Sequence, residues 1–233
     1  MKNANPIQIK VVIPDAGPLI SLSMVDALDV LLVFKETVRI VITDFVEFEV
    51  TRYRDKRVDA QRICDFIARN AGVIEIQETL YGKSMKEMFK LKERFDEDAN
   101  FKEMMISAGI SPPSLPKDVG ELSIVSFATE LIKSPPGIPV LILAEDDFFL
   151  HSGAATSGNA HILSTRSFLE TLQSLGKVKD ALSIWQQIQV VRPTVNATRV
   201  DRQAAKINTD WASALDTAKV VSLTGNRHRP GRQ

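Results

Sequence analysis

The sequence predicts an α/β protein whose central parallel sheet is covered by helices on both faces, in three layers. Short runs that are apolar throughout, such as VRIVI and IPVLIL, are typical of strands buried on both faces of a sheet. Segments with apolar residues at helical spacing lie between these runs, and this alternation is typical of crossover-connected parallel strands. The chain has 233 residues, which is enough for one large domain with an appendage.

Three of the predicted strands lie in the first half of the chain. They are residues 7–13 (IQIKVVI), 38–42 (VRIVI) and 73–76 (VIEI), all rich in β-branched residues. Gly17 and Pro18 open a helix after the first strand, and Thr43 is expected to cap a helix that runs to about Arg54. Another helix is predicted over residues 57–70 and ends at Gly72.

Residues 82–116 differ from the sequence around them, because they are rich in Lys, Glu, Met and Phe. They predict one or two amphipathic helices, ended by the chain-breaking run SPPSLP. We expect this segment to be a helical arm or lid, inserted into a domain that spans residues 1–191.

The second half of the chain completes the predicted sheet. A strongly periodic helix over residues 118–133 precedes two strands at 138–143 (IPVLIL) and 160–163 (AHIL). Helices follow at 166–175 and 178–191. Residues 192–233 form a C-terminal extension that is weakly helical around Trp211, and its basic end is expected to be disordered on its own.

The composition restricts the class of protein. Lys and Arg number 29 and Asp and Glu also number 29, so the net charge of zero argues against a broadly basic nucleic-acid coat protein. Cys64 is the only cysteine, which excludes an intrachain disulfide. The sequence shows no signal-peptide pattern and no apolar run long enough for a membrane span. We therefore expect a cytoplasmic protein without a membrane partner.

Two aspartates follow predicted strands directly. Asp15 comes after IQIKVVI and Pro14, and Asp146 comes three positions after the end of IPVLIL. In an open parallel sheet, ligands bind beyond the carboxyl ends of the strands. A turn or a helix cap explains either residue alone, but two such residues on separate strands favour a functional site. Asp147 is adjacent, and Asp146 is preferred because Phe148 and Phe149 must turn into the core. Glu145 is expected to be exposed.

Two glutamates lie on the apolar faces of predicted helices. Glu49 shares one helical stripe with Val46 and Val50, whereas Glu47 lies away from it and is expected to be solvated. Glu121 lies in line with Ile124. Inward-facing carboxylates that converge demand a cation, and oxygen ligands favour Mg²⁺ or Mn²⁺.

Glu121 has a second explanation. Residues 118–121 (DVGE) have the form of a capping box, in which Asp118 caps the helix and Glu121 reaches back to it. Gly120 favours a functional site, because a glycine in the first turn weakens the helix but permits close approach. The sequence leaves both explanations open.

The order strand–Asp15, helix–Glu49, helix–Glu121 and strand–Asp146 resembles the PIN domain family of metal-dependent ribonucleases. The matching stretches are VVIPDAGPLISL, VITDFVEFEV, DVGELSIVSFA and VLILAEDD, and HILSTRSFLETLQSLGKV is similar to the last strand and helix of the single-domain bacterial members. The resemblance covers about residues 8–190, interrupted by the segment 82–116.

The resemblance implies a function and partners. It implies that Asp15, Glu121 and Asp146 hold one or two Mg²⁺ or Mn²⁺ ions, with Glu49 close by, for hydrolysis of RNA phosphodiester bonds. Many small members are toxins that an antitoxin protein neutralises, and homodimers are common among them. The chain departs from this pattern in its length and in Ala144, where many members carry Ser or Thr.

Two further features leave alternatives open. The basic run that includes Arg52, Arg54, Lys56 and Arg57 can guide an RNA backbone, or it can be a solvated helix end. The arm and the tail favour a second function, a catalytically inactive PIN-like module that binds other proteins. A haloacid dehalogenase-like phosphotransfer site is disfavoured, because such sites carry a second Asp where this chain has Gly17.

Overall fold

The computed structural model describes residues 10–134, 138–151 and 160–195 of the chain. Within them, five parallel strands form one sheet: β1 (Val11–Pro14), β2 (Arg39–Thr43), β3 (Ile74–Gln77), β4 (Val140–Leu143) and β5 (Ala160–Leu163). Their order across the sheet is β3-β2-β1-β4-β5. The predicted parallel α/β architecture is therefore confirmed. The beginning of the first predicted strand, residues 7–9, lies outside the described part.

The helices also follow the predicted order. They are α1 (Ala16–Met24), α2 (Asp44–Thr51), α3 (Val58–Arg69), α4 (Leu80–Glu97), α5 (Ala99–Ser107), α6 (Val119–Lys133), α7 (Phe148–His151), α8 (Thr165–Ser174) and α9 (Ala181–Val191), with a 3₁₀ helix at Leu28–Leu32. The proposed C-terminal helix around Trp211 and the basic tail lie outside the described residues.

The sheet forms the middle layer of the three-layer architecture. β1, β2 and β4 are buried almost completely because their side chains are covered on both faces, which explains their uniformly apolar sequences. Helix α1 contacts α3 and α9, and α6 contacts α7 and the strands β2 and β4. Crossovers between parallel strands are right-handed as a rule, so the reversal of direction in the strand order β3-β2-β1-β4-β5 places these two groups on opposite faces of the sheet.

The segment predicted as an arm forms two helices, α4 and α5. Helix α4 packs against α2 and α6, and α5 packs against α4. The buried carboxylate of Asp44, just after β2, fastens the start of α4 to the sheet. It accepts hydrogen bonds from the backbone N–H (3.1 Å) and hydroxyl (2.9 Å) of Thr79, and it lies 3.5 Å from the ammonium of Lys86. Helix α4 therefore lies beside the carboxyl ends of the strands.

No helix in the described part of the chain is both long and apolar enough to cross a lipid bilayer.

Candidate metal centre

The candidate site lies at the switch point of the sheet. The chain leaves β1 toward β2 on one side and leaves β4 toward β5 on the other, so the connections diverge between β1 and β4. Asp15 directly follows β1, and its backbone N–H donates to the carbonyl of Leu143 at the end of β4 (2.9 Å). A crevice opens at such a point in parallel sheets. Backbone pairing therefore sets the position of Asp15.

Three of the four predicted acids come together at this crevice. Carboxylate oxygens of Asp15, Glu121 and Asp146 lie within 4.8 Å of one another. Asp15 is buried, Glu121 is half-buried and Asp146 is exposed. The group therefore reaches from the core to solvent, and an ion bound there could be approached from outside.

The carboxylate of Asp15 is buried with little compensation from neighbouring groups. It is 4% exposed, and its buried Oδ1 has no hydrogen-bond partner in the described structure. It occupies the N-cap position of α1 but makes no side-chain capping bond, so a helix cap does not explain it. Burial, with the negative charges of Glu121, Asp146 and Glu49 adding to it, raises its pKa well above the ordinary value.

The capping-box explanation of Glu121 is wrong. Asp118 lies in the left-handed region (φ 58°), and its side chain makes no capping hydrogen bond to the start of α6. The carboxylate therefore does not cap the helix. Burial raises the pKa of Glu121 from 4.5 to about 7, and the charges of Asp146, Glu49 and Asp118 add to this effect. Asp118 is exposed at the rim.

Glu49 faces the same site from α2, although the expectation that it points inward is only partly right. The residue is exposed and Glu47 is half-buried, because Glu49 lies in the last turn of a short helix at the edge of the crevice. Partial burial of its carboxylate, whose Oε2 approaches Gly120 of α6, raises its pKa, and the charge of Arg52 opposes the effect. Glu49 is therefore a rim acid.

Gly120 accounts for the approach of α2 to α6. A Cβ atom at this position would lie 2.9 Å from Oε2 of Glu49 and 4.0 Å from Oδ1 of Asp15. A side chain there would therefore displace Glu49. The glycine permits the close approach that its place in the first helical turn suggested.

Asp146 leads the turn after β4, as predicted, and its neighbours have other roles. Its Oδ1 accepts a hydrogen bond from the backbone N–H of Phe148 (2.9 Å), and the side chain of Phe149 is fully buried. Asp147 is half-buried and lies outside the group of three carboxylates. The preference for Asp146 over Asp147 agrees with this arrangement.

The expectation that Glu145 is exposed is wrong. Its side chain is 8% exposed and pairs with Arg192 at 2.9 Å. It also accepts a hydrogen bond from the Thr165 hydroxyl (2.8 Å), while Arg192 donates to the carbonyl of Gly17 (3.0 Å). Because these contacts join the loops that carry Asp15 and Asp146, the Glu145–Arg192 pair ties the two loops together.

The arginines of the basic run after α2 lie in different environments. Arg52 stacks against aromatic rings near Glu49, whereas Arg57 pairs with Asp59 (Nε to Oδ1, 3.1 Å). Arg54 points its guanidinium toward Cys64, 3.9 Å from the sulfur. Of the three arginines predicted to contact RNA, Arg52 is therefore the one that lies next to the acids.

Sequence reasoning missed Asp44 and Arg192. Asp44 follows β2 directly, as Asp15 follows β1, so its position was a usable signal for a buried acid. The carboxylate of Asp44 has partners in its hydrogen bonds and in the neighbouring Lys86. It therefore differs from Asp15, whose buried Oδ1 has no such partner. Arg192 gave no signal, because it meets Glu145 only through the folded chain.

In comparisons with known proteins, no family model matches the chain and no curated protein matches it. The structure defines the chain as an α/β protein with a three-layer, PIN-like architecture and an acidic group suited to a divalent cation.

Proposed function

We propose that the chain is a Mg²⁺- or Mn²⁺-dependent endoribonuclease that hydrolyses phosphodiester bonds of RNA. The observation that carries the proposal is the buried, unpartnered oxygen of Asp15 among the carboxylates of Glu121 and Asp146. A buried carboxylate surrounded by like charges is costly unless a cation compensates it. The ordered motifs that resemble PIN domains support RNA as the substrate.

The donor set fits the proposed ion. Three carboxylates, without cysteine or histidine among them, are hard oxygen ligands of the kind that Mg²⁺ and Mn²⁺ prefer. Asp15, Glu121 and Asp146 would hold the ion, and Glu49 at the rim would bind its water shell. When bound, the ion supplies Lewis acidity, which lowers the pKa of a water and stabilises charge on the phosphate.

The protein's own residues would contribute orientation and charge. The backbone of Asp15 is fixed by the β1–β4 pairing. Binding of an ion at Asp15 would therefore cost little conformational entropy. Arg52 is a cation beside the acids and would attract the RNA backbone. The exposed Asp146 leaves the substrate a route in from solvent.

The test is cleavage of a labelled single-stranded RNA in Mg²⁺ or Mn²⁺ by the wild type, Asp15→Asn and Asp146→Asn. We expect cleavage by the wild type and a loss of at least a hundredfold in both variants, the usual scale for charge-stabilising groups. Asp147→Asn is the matched control, since it removes the neighbouring charge and should retain most activity. Equal cleavage by all four proteins, or cleavage by none, would sink the proposal.

The resemblance to PIN domains extends the proposal to a toxin role, with an antitoxin protein and a homodimer as expected partners. Induced expression of the wild type should then arrest growth of a bacterial host, and Asp15→Asn should relieve the arrest. Normal growth with both proteins at equal abundance would count against a toxin.

One observation favours the second candidate, a protein-binding module without catalysis. Helices α4 and α5 and the residues after them expose large apolar side chains, namely Leu91, Met104, Ile106 and Ile110, and such patches mark interaction surfaces. Calorimetric titration with Mn²⁺ separates the candidates, because a pure binding module has no need to take up the ion at Asp15.

A further inference from the structure

A cavity of about 350 Å³ opens directly beside the acids. Gly120 and Glu121 from the start of α6 line it on one side, and Glu49 and Arg52 from the end of α2 line it on another. Phe89 of α4 and the segment with Leu115 and Pro116 close it. The cavity therefore exists because the segment between β3 and α6 packs against α2.

Arg52 is held at this cavity by aromatic rings. Its guanidinium carbon lies 4.7 Å from the ring centroids of both Tyr53 and Phe89 and 5.9 Å from that of Phe48. Within the described residues, Arg52 forms no ion pair with a carboxylate inside 4 Å. Stacking holds the faces of a guanidinium and leaves its N–H edge to donate, so the orientation of Arg52, whose charge also acts on Glu49, suits contact with an anion.

The lining also contains the exposed Asp118, and its other residues are apolar. Phe45 is 6% exposed, and Leu115 is half-buried beside the exposed Pro116. An apolar wall opposite an arginine suits a ligand that carries a flat apolar face and an anion. A bare phosphate would use the arginine and leave the apolar wall empty.

We infer that this cavity binds one nucleotide of single-stranded RNA, with its phosphate on Arg52 and its base against Leu115 and Phe45. The inference rests on the proposed function, because it makes the cavity the substrate subsite next to the metal. The volume is in the range of small-ligand pockets. The phosphate is placed on Arg52 because the other charged groups of the lining, Glu49, Asp118 and Glu121, are carboxylates that repel it until a cation is bound.

The test measures binding of uridine 5′-monophosphate, uridine and inorganic phosphate by calorimetry in Mn²⁺. The proteins compared are the wild type, Arg52→Gln and Leu115→Ser. We expect the dissociation constant of the nucleotide to rise about tenfold in Arg52→Gln. It should rise roughly threefold to tenfold on loss of the apolar side chain. Inorganic phosphate should lose affinity in Arg52→Gln alone. Arg54→Gln, near the end of the same helix, is the matched control and should bind like the wild type.

The outcomes separate this inference from the proposed function. Unchanged nucleotide binding in Arg52→Gln and Leu115→Ser overturns the subsite, even if the wild type cleaves RNA. An effect of Arg52→Gln without one of Leu115→Ser shows a phosphate site alone and also overturns it. Binding that depends on both side chains, in a protein that cleaves no RNA, supports the subsite and rejects the nuclease.

Discussion

Replacement of Asp15 by Asn is expected to stabilise the metal-free protein while removing its response to metal. Two unit charges up to 4.8 Å apart repel by at least about 3.5 kcal/mol at an effective dielectric constant of about 20. Protonation relieves part of this repulsion, as the raised pKa of Asp15 indicates. We therefore expect a gain of about 1–3 kcal/mol in the free energy of unfolding at a pH of about 8, because the neutral amide can donate to the remaining carboxylates.

Asp44 provides a matched control, since it is also a buried aspartate directly after a strand. Its carboxylate has Thr79 and Lys86 as partners, so Asp44→Asn should lose about 1–3 kcal/mol of stability through weaker charge-assisted hydrogen bonds. The two substitutions have the same chemistry and similar burial, but the predicted changes have opposite signs.

The assay is thermal unfolding of both variants and the wild type, first with a chelator and then with Mn²⁺. We expect the melting temperature to change by about 2–4 °C per kcal/mol for a chain of this size. Mn²⁺ should raise the melting temperature of the wild type and Asp44→Asn but not that of Asp15→Asn. The reasoning is refuted if Asp15→Asn lowers stability as Asp44→Asn does, or if its response to Mn²⁺ equals that of the wild type.

Three further predictions follow from the site. Gly120→Ala should leave the free energy of unfolding unchanged or raise it by up to about 1 kcal/mol through helix propensity. It should nevertheless weaken Mn²⁺ binding, measured by calorimetry, because the new Cβ displaces Glu49. An unchanged affinity for Mn²⁺ contradicts this. Arg192→Gln should weaken Mn²⁺ binding without touching the acids, because the partner of Glu145 is lost, and Arg192→Lys should restore most of it; equal affinities in all three proteins contradict this. The pKa of Glu121 is raised from 4.5 to about 7, so the stability that this residue contributes is present below its ordinary pKa and is lost as the pH rises through about 7. The free energy of unfolding, measured with a chelator, should therefore fall by about 1–2 kcal/mol between these two pH values, after allowance for solvent screening. A rise of the unfolding free energy over the same pH interval contradicts this.

The sheet was predictable because its signal is local. Strands covered on both faces must be apolar throughout, and β1, β2 and β4 are. Asp15 and Asp146 followed from the rule that parallel strands present their carboxyl ends at one edge. These features depend on sequence patterns of a few residues, which the chain displays directly.

The wrong expectations depend on contacts between distant segments or on local backbone geometry. Glu145 and Arg192 are 47 positions apart, and only the folded chain brings them together. The sequence suggested a capping box at Asp118, but the left-handed backbone at this residue excludes it and cannot be read from residue types alone. The exposure of Glu49 likewise depends on where α2 ends at the rim of the crevice.

The most direct test of the metal site is anomalous X-ray diffraction from crystals grown or soaked with Mn²⁺. We predict an anomalous peak within bonding distance of carboxylate oxygens of Asp15, Glu121 and Asp146, which lie together at the end of β1 and β4. Absence of a peak among these carboxylates at saturating Mn²⁺, with the site open to solvent in the crystal, would contradict the account.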